Sequence, residues 1–305
     1  MAVATYKPSG KMGWLGWVLG LEVGALVAIG LAYYYIAIRG NGRGPIVSIA
    51  MALFIGAAIG CVVGVLTRLG KSRSQLITGI IAVVCGVVAL GAGFYFDYVS
   101  FGDWLAREAA REGGSVDEFR KVWTFPAYLK VRVEGGWQYG PSLADLEFSG
   151  AVVYLFWAIE AALFLLPAFF ISRLFVRRSF CEACNCWTVE KPLGRVPGVQ
   201  IASLIAGRES GSLTNLLDPE ASRGGHQSIE YFLHYCPACN DTKFLSIGMP
   251  KGGLIKHEWV VRYATVTDAD LELLEQSMAE RKASVRNVLA MAGRNKPRLP
   301  GNNPI

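Results

Sequence analysis

Four long apolar runs decide what this chain can become: Gly13–Ile38, Pro45–Thr67, Leu76–Phe96 and Gly150–Ser172. Each matches or exceeds the ~20 residues that cross ~30 Å of hydrocarbon as a helix. The runs are continuous rather than alternating, so they read as helices, which satisfy every backbone hydrogen bond internally where lipid offers none. The first is 26 residues long, too long for the apolar core of a cleaved signal, and no small-x-small site follows it. The rest of the chain has ordinary polarity. A mean hydropathy of +0.35 and a charged fraction of 18% are therefore averages of a membrane half and a water-soluble half.

Charge orients the runs. The side shared by the N-terminus, the loop after the second span and the C-terminal half carries Lys7, Lys11, Arg68, Lys71, Arg73, Arg173, Arg177 and Arg178 near the membrane. The other side has Arg39 and Arg43 in a tight turn, then residues 97–148, with nine acids and six bases. Basic flanks stay cytoplasmic, so the expectation is a multi-pass protein of the cell membrane with both termini cytoplasmic. The organisation reads as an N-terminal tail and three spans over 1–96 (13–38, 45–67 and 76–96). An extracytoplasmic cap over 97–148, a fourth span over 149–175, a cytoplasmic domain over 176–266 and a helix with a basic tail over 267–305 follow.

Within the spans, Gly16, Gly20 and Gly24 share one helix face, as do Gly56, Gly60 and Gly64. Such faces let backbones approach closely, and the short 39–44 loop favours packing of spans one and two on each other over oligomerisation. Two acids, Glu22 and Glu160, lie inside spans, where a carboxylate costs several kcal/mol unless it is partnered or faces water. Counted from the run ends their depths differ by about 5 Å, so they can face each other. Either they form an ion or proton site, or they are acids hydrogen-bonded to backbone, tyrosine or a partner protein. Tyr33, Tyr34, Tyr35, Trp14 and Trp17 read as interfacial anchors, and Pro167 as a kink. In the cap, Phe101–Glu112 suits a short amphipathic helix stopped by Gly113–Gly114, and Tyr128–Val133 alternates like a strand that Gly135–Gly136 turns. The cap aromatics Trp104, Trp123, Phe125, Trp137 and Tyr139 suit contact with lipid or a partner.

Five of the seven cysteines cluster after the fourth span: Cys181, Cys184, Cys186, Cys236 and Cys239. They form Cys181-Glu-Ala-Cys184-Asn and Cys236-Pro-Ala-Cys239-Asn. Two Cys-x-x-Cys pairs supply four thiolates, a set that suits tetrahedral zinc. The asparagine after each pair tolerates the left-handed backbone that a turn around a bound metal needs. Disulfides, a redox pair and free thiols are the competing readings, and a reducing cytosol weighs against the first. These two turns resemble the knuckles of a zinc ribbon, in which two cysteine turns clamp one structural Zn²⁺ between short β-hairpins. The resemblance implies Cys181, Cys184, Cys236 and Cys239 as ligands, with Cys186 as a possible substitute for Cys184. It covers only the turns and their flanking strands, Ile229–Tyr235 and Lys243–Ile247 for the second hairpin. Fifty-one residues separate Cys184 from Cys236 where ~15–20 is usual, so an insertion over about 196–224 is expected. His226, His234 and His257 are scattered, and His234 reads as a polar strand residue beside the turn. Glu258–Thr265 reads as a further strand. Thr267 reads as the cap of a helix with Leu271, Leu274, Met278, Val285 and Val288 along one stripe.

The fold class expected is thus an α-helical membrane protein of four spans followed by a small cytoplasmic α+β zinc-ribbon domain. No phosphate loop, dinucleotide fingerprint, metalloprotease motif or nucleophile elbow is present in the sequence, and basic residues do not interleave with surface aromatics as nucleic-acid binding requires. The expectation is a non-enzymatic scaffold or adaptor subunit of a larger complex. It would bind other membrane or cytoplasmic proteins, or further copies of itself, with anionic lipid drawn to the basic tail. The alternative is a small transporter or ion-conducting subunit that uses Glu22 and Glu160.

Overall fold

The computed structural model describes residues 4–39, 45–135, 149–199, 205–206, 227–251 and 257–280. It divides into two units: residues 8–178, and residues 1–7 with 179–305.

The first unit is helical. Four helices are long and apolar enough to cross a membrane: Trp14–Ile38, Ile49–Leu69, Gln75–Arg111 and Ala151–Phe175. The first consists of α1 (Trp14–Val18), a π-helical turn (Leu19–Val23) and α2 (Gly24–Arg39). The others are α3 (Pro45–Leu69), α4 (Gln75–Arg111) and α7 (Ala151–Phe175), with α5 (Val116–Val122) and α6 (Phe125–Glu134) between the last two. Ser74 starts α4 by accepting a hydrogen bond from the Ile77 amide at 3.2 Å. Pro167 lies inside α7. Ala28, Ala32, Ile55, Ile59, Val63, Ile81, Cys85 and Phe164 form the bundle core.

The glycine faces are used inside the chain, though not against each other. A methyl added at Gly20 would meet Thr67 and Ile81, and one at Gly24 would meet Cys85 and Val63. Gly56, Gly60 and Gly64 all lie on α7, against the backbone of Phe164, Ala168 and Ser172. Gly16 abuts the carbonyl of Gly70. Spans one and two do pack on each other, with the glycines of span one against Thr67, Val63 and Gly70, but the glycine face of span two goes to span four, where the carbonyl oxygens of Leu163, Phe164, Ala168 and Ser172 leave no room for a Cβ.

The third apolar run does not stop at Phe96. Its helix continues to Arg111, 37 residues in all, about 55 Å, and absorbs the separate Phe101–Glu112 helix expected in the cap. Nothing between 97 and 111 breaks a helix except Gly102, and Gly102 is where the Trp123 ring lies against the backbone. The expected strand at Tyr128–Val133 is also wrong; these residues belong to α6. Thr124 caps that helix, its hydroxyl accepting from the Ala127 amide at 3.4 Å, and Pro126 sits in its first turn. The alternation was a coincidence of a helix whose inner face is set by Tyr128 and Arg132, one turn apart. Trp123 stacks on Tyr98 at 5.9 Å, and Trp104 stacks on Phe101. Gly136, Trp137 and Tyr139 lie outside the described residues, as does most of the 39–44 loop.

The second unit is an antiparallel sheet. Strands β3 (Val189–Val199), β4 (Gln227–Tyr235), β5 (Lys243–Pro250) and β6 (His257–Thr265) lie in that order, and β1 (Phe180–Cys181) pairs separately with β2 (Cys186–Trp187). A helix over 268–280 follows. Thr267 caps it, accepting from the Asp270 amide at 3.3 Å while Asp270 accepts from the Thr267 amide at 2.8 Å. Leu271, Leu274 and Met278 close the core formed by Val196, Ile229, Tyr231, Leu245, Ile247 and Val261, so the stripe packs on its own sheet. The expected insertion begins later than 196, since β3 runs to Val199 and pairs with β4. Its residues 200–204 and 207–224, together with His226, Val285, Val288 and the basic tail from Arg281 onward, lie outside the described residues.

Residues 4–6 add to the free edge of β6. Thr5 bridges Ala264, the Tyr6 amide donates to the Tyr263 carbonyl at 2.8 Å and the Thr265 amide donates to the Ala4 carbonyl at 2.9 Å. The Tyr6 ring packs on Phe244 at 5.1 Å. A segment that precedes the four long helices thus joins a sheet whose strands all follow them.

Candidate metal centre

Two hairpin turns build the cysteine cluster. In the first, Cys181 and Cys186 are cross-strand partners of β1 and β2, and the Cys184 amide points at Cys181 Sγ at 3.5 Å. In the second, Cys236 closes β4 and its amide donates to the Thr242 carbonyl at 3.0 Å, just before β5. Asn185 and Asn240 both adopt the left-handed backbone, with φ of 52° and 58°. Asparagine suits both positions, because the turn must reverse the chain so that amides face sulfur. The two turns carry the same chemistry at the same place.

The Sγ atoms of Cys181, Cys184, Cys236 and Cys239 lie within 4.8 Å of one another. Sulfurs held ~2.3 Å from one tetrahedral ion sit about 3.8 Å apart, and Cys181 and Cys239 are 3.9 Å apart. Four soft donors in this arrangement can hold a metal ion and would fill its coordination sphere. The fifth thiol, Cys186, is outside that set but close to it, its Sγ 3.4 Å from that of Cys236.

Electrostatics follow from the turns. Burial works to raise the Cys236 thiol, but the amides of Cys239 and Ala238 outweigh it and bring it down to about 6. The amides of Thr242 and Asp241 likewise lower Cys239. Cys184, which hydrogen-bonds to Cys239, is pushed well up. Burial and then the Cys236 contact raise Cys186 to about 11. The second turn therefore favours thiolates, the form a metal requires. Thr242 Oγ1, 3.2 Å from Cys181 Sγ, is a neighbour that sequence spacing did not reveal. His234 is buried in β4, its Nδ1 3.9 Å from Glu190, and takes no part in the sulfur cluster. His257 meets Glu230 at 2.6 Å.

The two intramembrane acids are not brought together. The Tyr35 hydroxyl donates to Glu160 at 2.5 Å, and Tyr35 lies thirteen residues beyond Glu22 on the same long helix, about 20 Å away. The expectation that Glu22 and Glu160 face each other is corrected. Distances from run ends do not fix how helices slide along one another, and the packing of α7 puts Glu160 beside Tyr35, towards the far end of span one. Tyr35, expected at an interface, is buried at 4% exposure, whereas Tyr33 and Tyr34 are exposed.

Glu160 and Tyr35 instead line a cavity with Asp97 and Tyr128; it has room for about one water. Asp97 accepts from the Tyr128 hydroxyl at 2.5 Å and from Arg132 at 2.8 Å. This group was not found from sequence, although an acid at a span end and a Tyr–Arg pair four residues apart were its signals. Burial, then the Asp97 charge, raise the Tyr128 phenol well above its ordinary value. A raised folded-state value means that its contribution is fully present below the unfolded phenol's value near 10 and is lost as pH rises beyond it. Tyr128→Phe is expected to cost about 1.5–3 kcal/mol and to flatten the loss of thermal stability expected as pH rises past about 10; an unchanged melting temperature in detergent would refute this role.

No protein-family model, curated protein or solved structure matches the chain. The class is therefore set by what the molecule itself shows: a protein with four helices long and apolar enough to span a membrane, and an antiparallel-sheet domain holding four clustered cysteines.

Proposed function

We propose that the chain is an integral membrane scaffold subunit whose sheet domain, fixed by one structural Zn²⁺ on Cys181, Cys184, Cys236 and Cys239, docks other proteins of a larger complex. The observation that carries this reading is the closed sulfur set: two matched hairpin turns supply four thiolates, which leave a bound zinc no position for water or substrate. The zinc-ribbon likeness extends to the hairpin turns and their left-handed asparagines. Basic flanks support a cytoplasmic sheet domain, and an even number of crossings between residues 4–6 and the sheet is in keeping with their pairing. The basic tail adds attraction to anionic lipid on that side. The test is the mass of the particle released from its own membrane in polymer nanodiscs. A scaffold is expected in particles at least twice the 33.1 kDa of the chain, with stoichiometric companions; particles of one chain alone would end the proposal.

A second reading, an ion-conducting subunit, draws on the cavity that Glu160 shares with Asp97. It predicts that Glu160→Gln abolishes proton or cation flux into vesicles holding the purified protein. Flux equal to that of the parent chain would remove it.

A further inference from the structure

Glu22 stands on the outside of the bundle. Its side chain is exposed, and among the described residues none hydrogen-bonds or ion-pairs with it. It lies eight residues beyond Trp14, about 12 Å along the helix, within a stretch flanked by the exposed apolar side chains Leu15, Val23 and Leu26. A carboxylate there faces hydrocarbon, at a cost of a few kcal/mol. The helix is also irregular at this point: Leu19–Val23 is a π-turn, a form that is rare and concentrates at functional positions.

The face around Glu22 has a further property. Glu22, Leu26, Gly30 and Tyr33 run along it at helical spacing, all exposed. Gly16, Gly20 and Gly24 meet their own chain, whereas a methyl added at Gly30 would touch nothing. The stripe therefore combines an acid, an apolar flank and a place for close backbone approach.

We propose that this stripe seats the spanning helix of a different membrane protein, one that carries a lysine or arginine at the depth of Glu22. Charge complementarity selects that occupant. The described spans hold bases only near their ends, Arg68, Arg107, Arg111 and Arg173, and Arg68 and Arg173, the two nearest in depth by the contacts of Gly20, Gly24 and Gly64, are both half-buried. A second copy would thus set acid beside acid. The inference rests on the scaffold reading and assigns the chemistry of one partner.

The test uses the full chain, dye-labelled at its C-terminus, in phosphatidylcholine vesicles. Acceptor-labelled leucine-rich 23-residue peptides are added, with Lys, Leu or Glu at the centre. Energy transfer is expected to half-saturate at about tenfold lower peptide-to-lipid ratio for the Lys peptide than for the Leu peptide. Glu22→Leu should erase that preference and Glu22→Asp should retain it; Glu22→Leu removes a charge from lipid and so does not threaten folding. Equal transfer for Lys and Leu peptides overturns the proposal. So does Glu22-dependent transfer between two labelled copies of the chain without a Lys preference, which gives the face to a second copy. Large native particles combined with no Lys preference would refute this inference and leave the scaffold reading standing, and a lone-chain particle with a Lys preference would do the reverse.

Discussion

Replacing Cys181 and Cys236 together by serine is expected to reduce the zinc content of the purified chain from about one per chain to none and to unfold the sheet domain. Together the two substitutions remove one sulfur from each hairpin turn, so neither turn keeps a pair of thiolates from the set of four. Binding free energies of structural zinc are about 10–16 kcal/mol in small domains, comparable to the whole stability of a domain. The expected readouts are elemental analysis and hydrogen exchange, with loss of protection across β4 and β5 while the helices of residues 8–178 keep theirs. Cys186→Ser is expected to leave the metal content unchanged, since its sulfur lies outside the set of four. A double variant that stays folded without metal would remove the structural role. The colour of the parent protein separates the two metals that tetrahedral sulfur favours: zinc gives a colourless protein, iron a red one.

The second large effect lies in the membrane half. Gly56→Val is expected to destabilise the bundle by about 3 kcal/mol or more, at the upper end of overpacking costs, because its Cβ would stand 2.5 Å from the Phe164 carbonyl oxygen and 2.7 Å from that of Leu163. Both are backbone atoms of α7 and neither can swing aside. Gly30→Val, at a glycine whose Cβ would touch nothing, serves as the control and is expected to change stability by less than about 0.5 kcal/mol. Reversible unfolding in bicelles would measure both. Equal effects would mean that α3 and α7 are not packed through their backbones.

The parts of this molecule that could be read from sequence are those whose signal is local. Four apolar runs became four long helices, because twenty consecutive apolar residues have few other solutions. The two Cys-x-x-Cys-Asn turns converged, and the asparagines took the backbone expected of them. What could not be read depended on distant partners. Hydropathy falls at Asp97 and ends the third apolar run, whereas its helix continues to Arg111 because no residue breaks it. Tyr128–Val133 looked like a strand because alternation over six residues also fits a helix whose inner side holds one tyrosine and one arginine. The separation of Glu22 from Glu160 followed from how α7 slides along its neighbours, and only packing fixes that.

The edge contact between residues 4–6 and β6 has a consequence for biosynthesis. Residues 4–6 precede the four long helices in the chain, while the strand they pair with emerges more than 250 residues later. The edge contact can form only after all four helices have been made, because β6 follows them in the chain. If all four helices cross a membrane, residues 4–6 and β6 come to lie on one side of it, and an odd number of crossings would leave the edge of β6 without its partner.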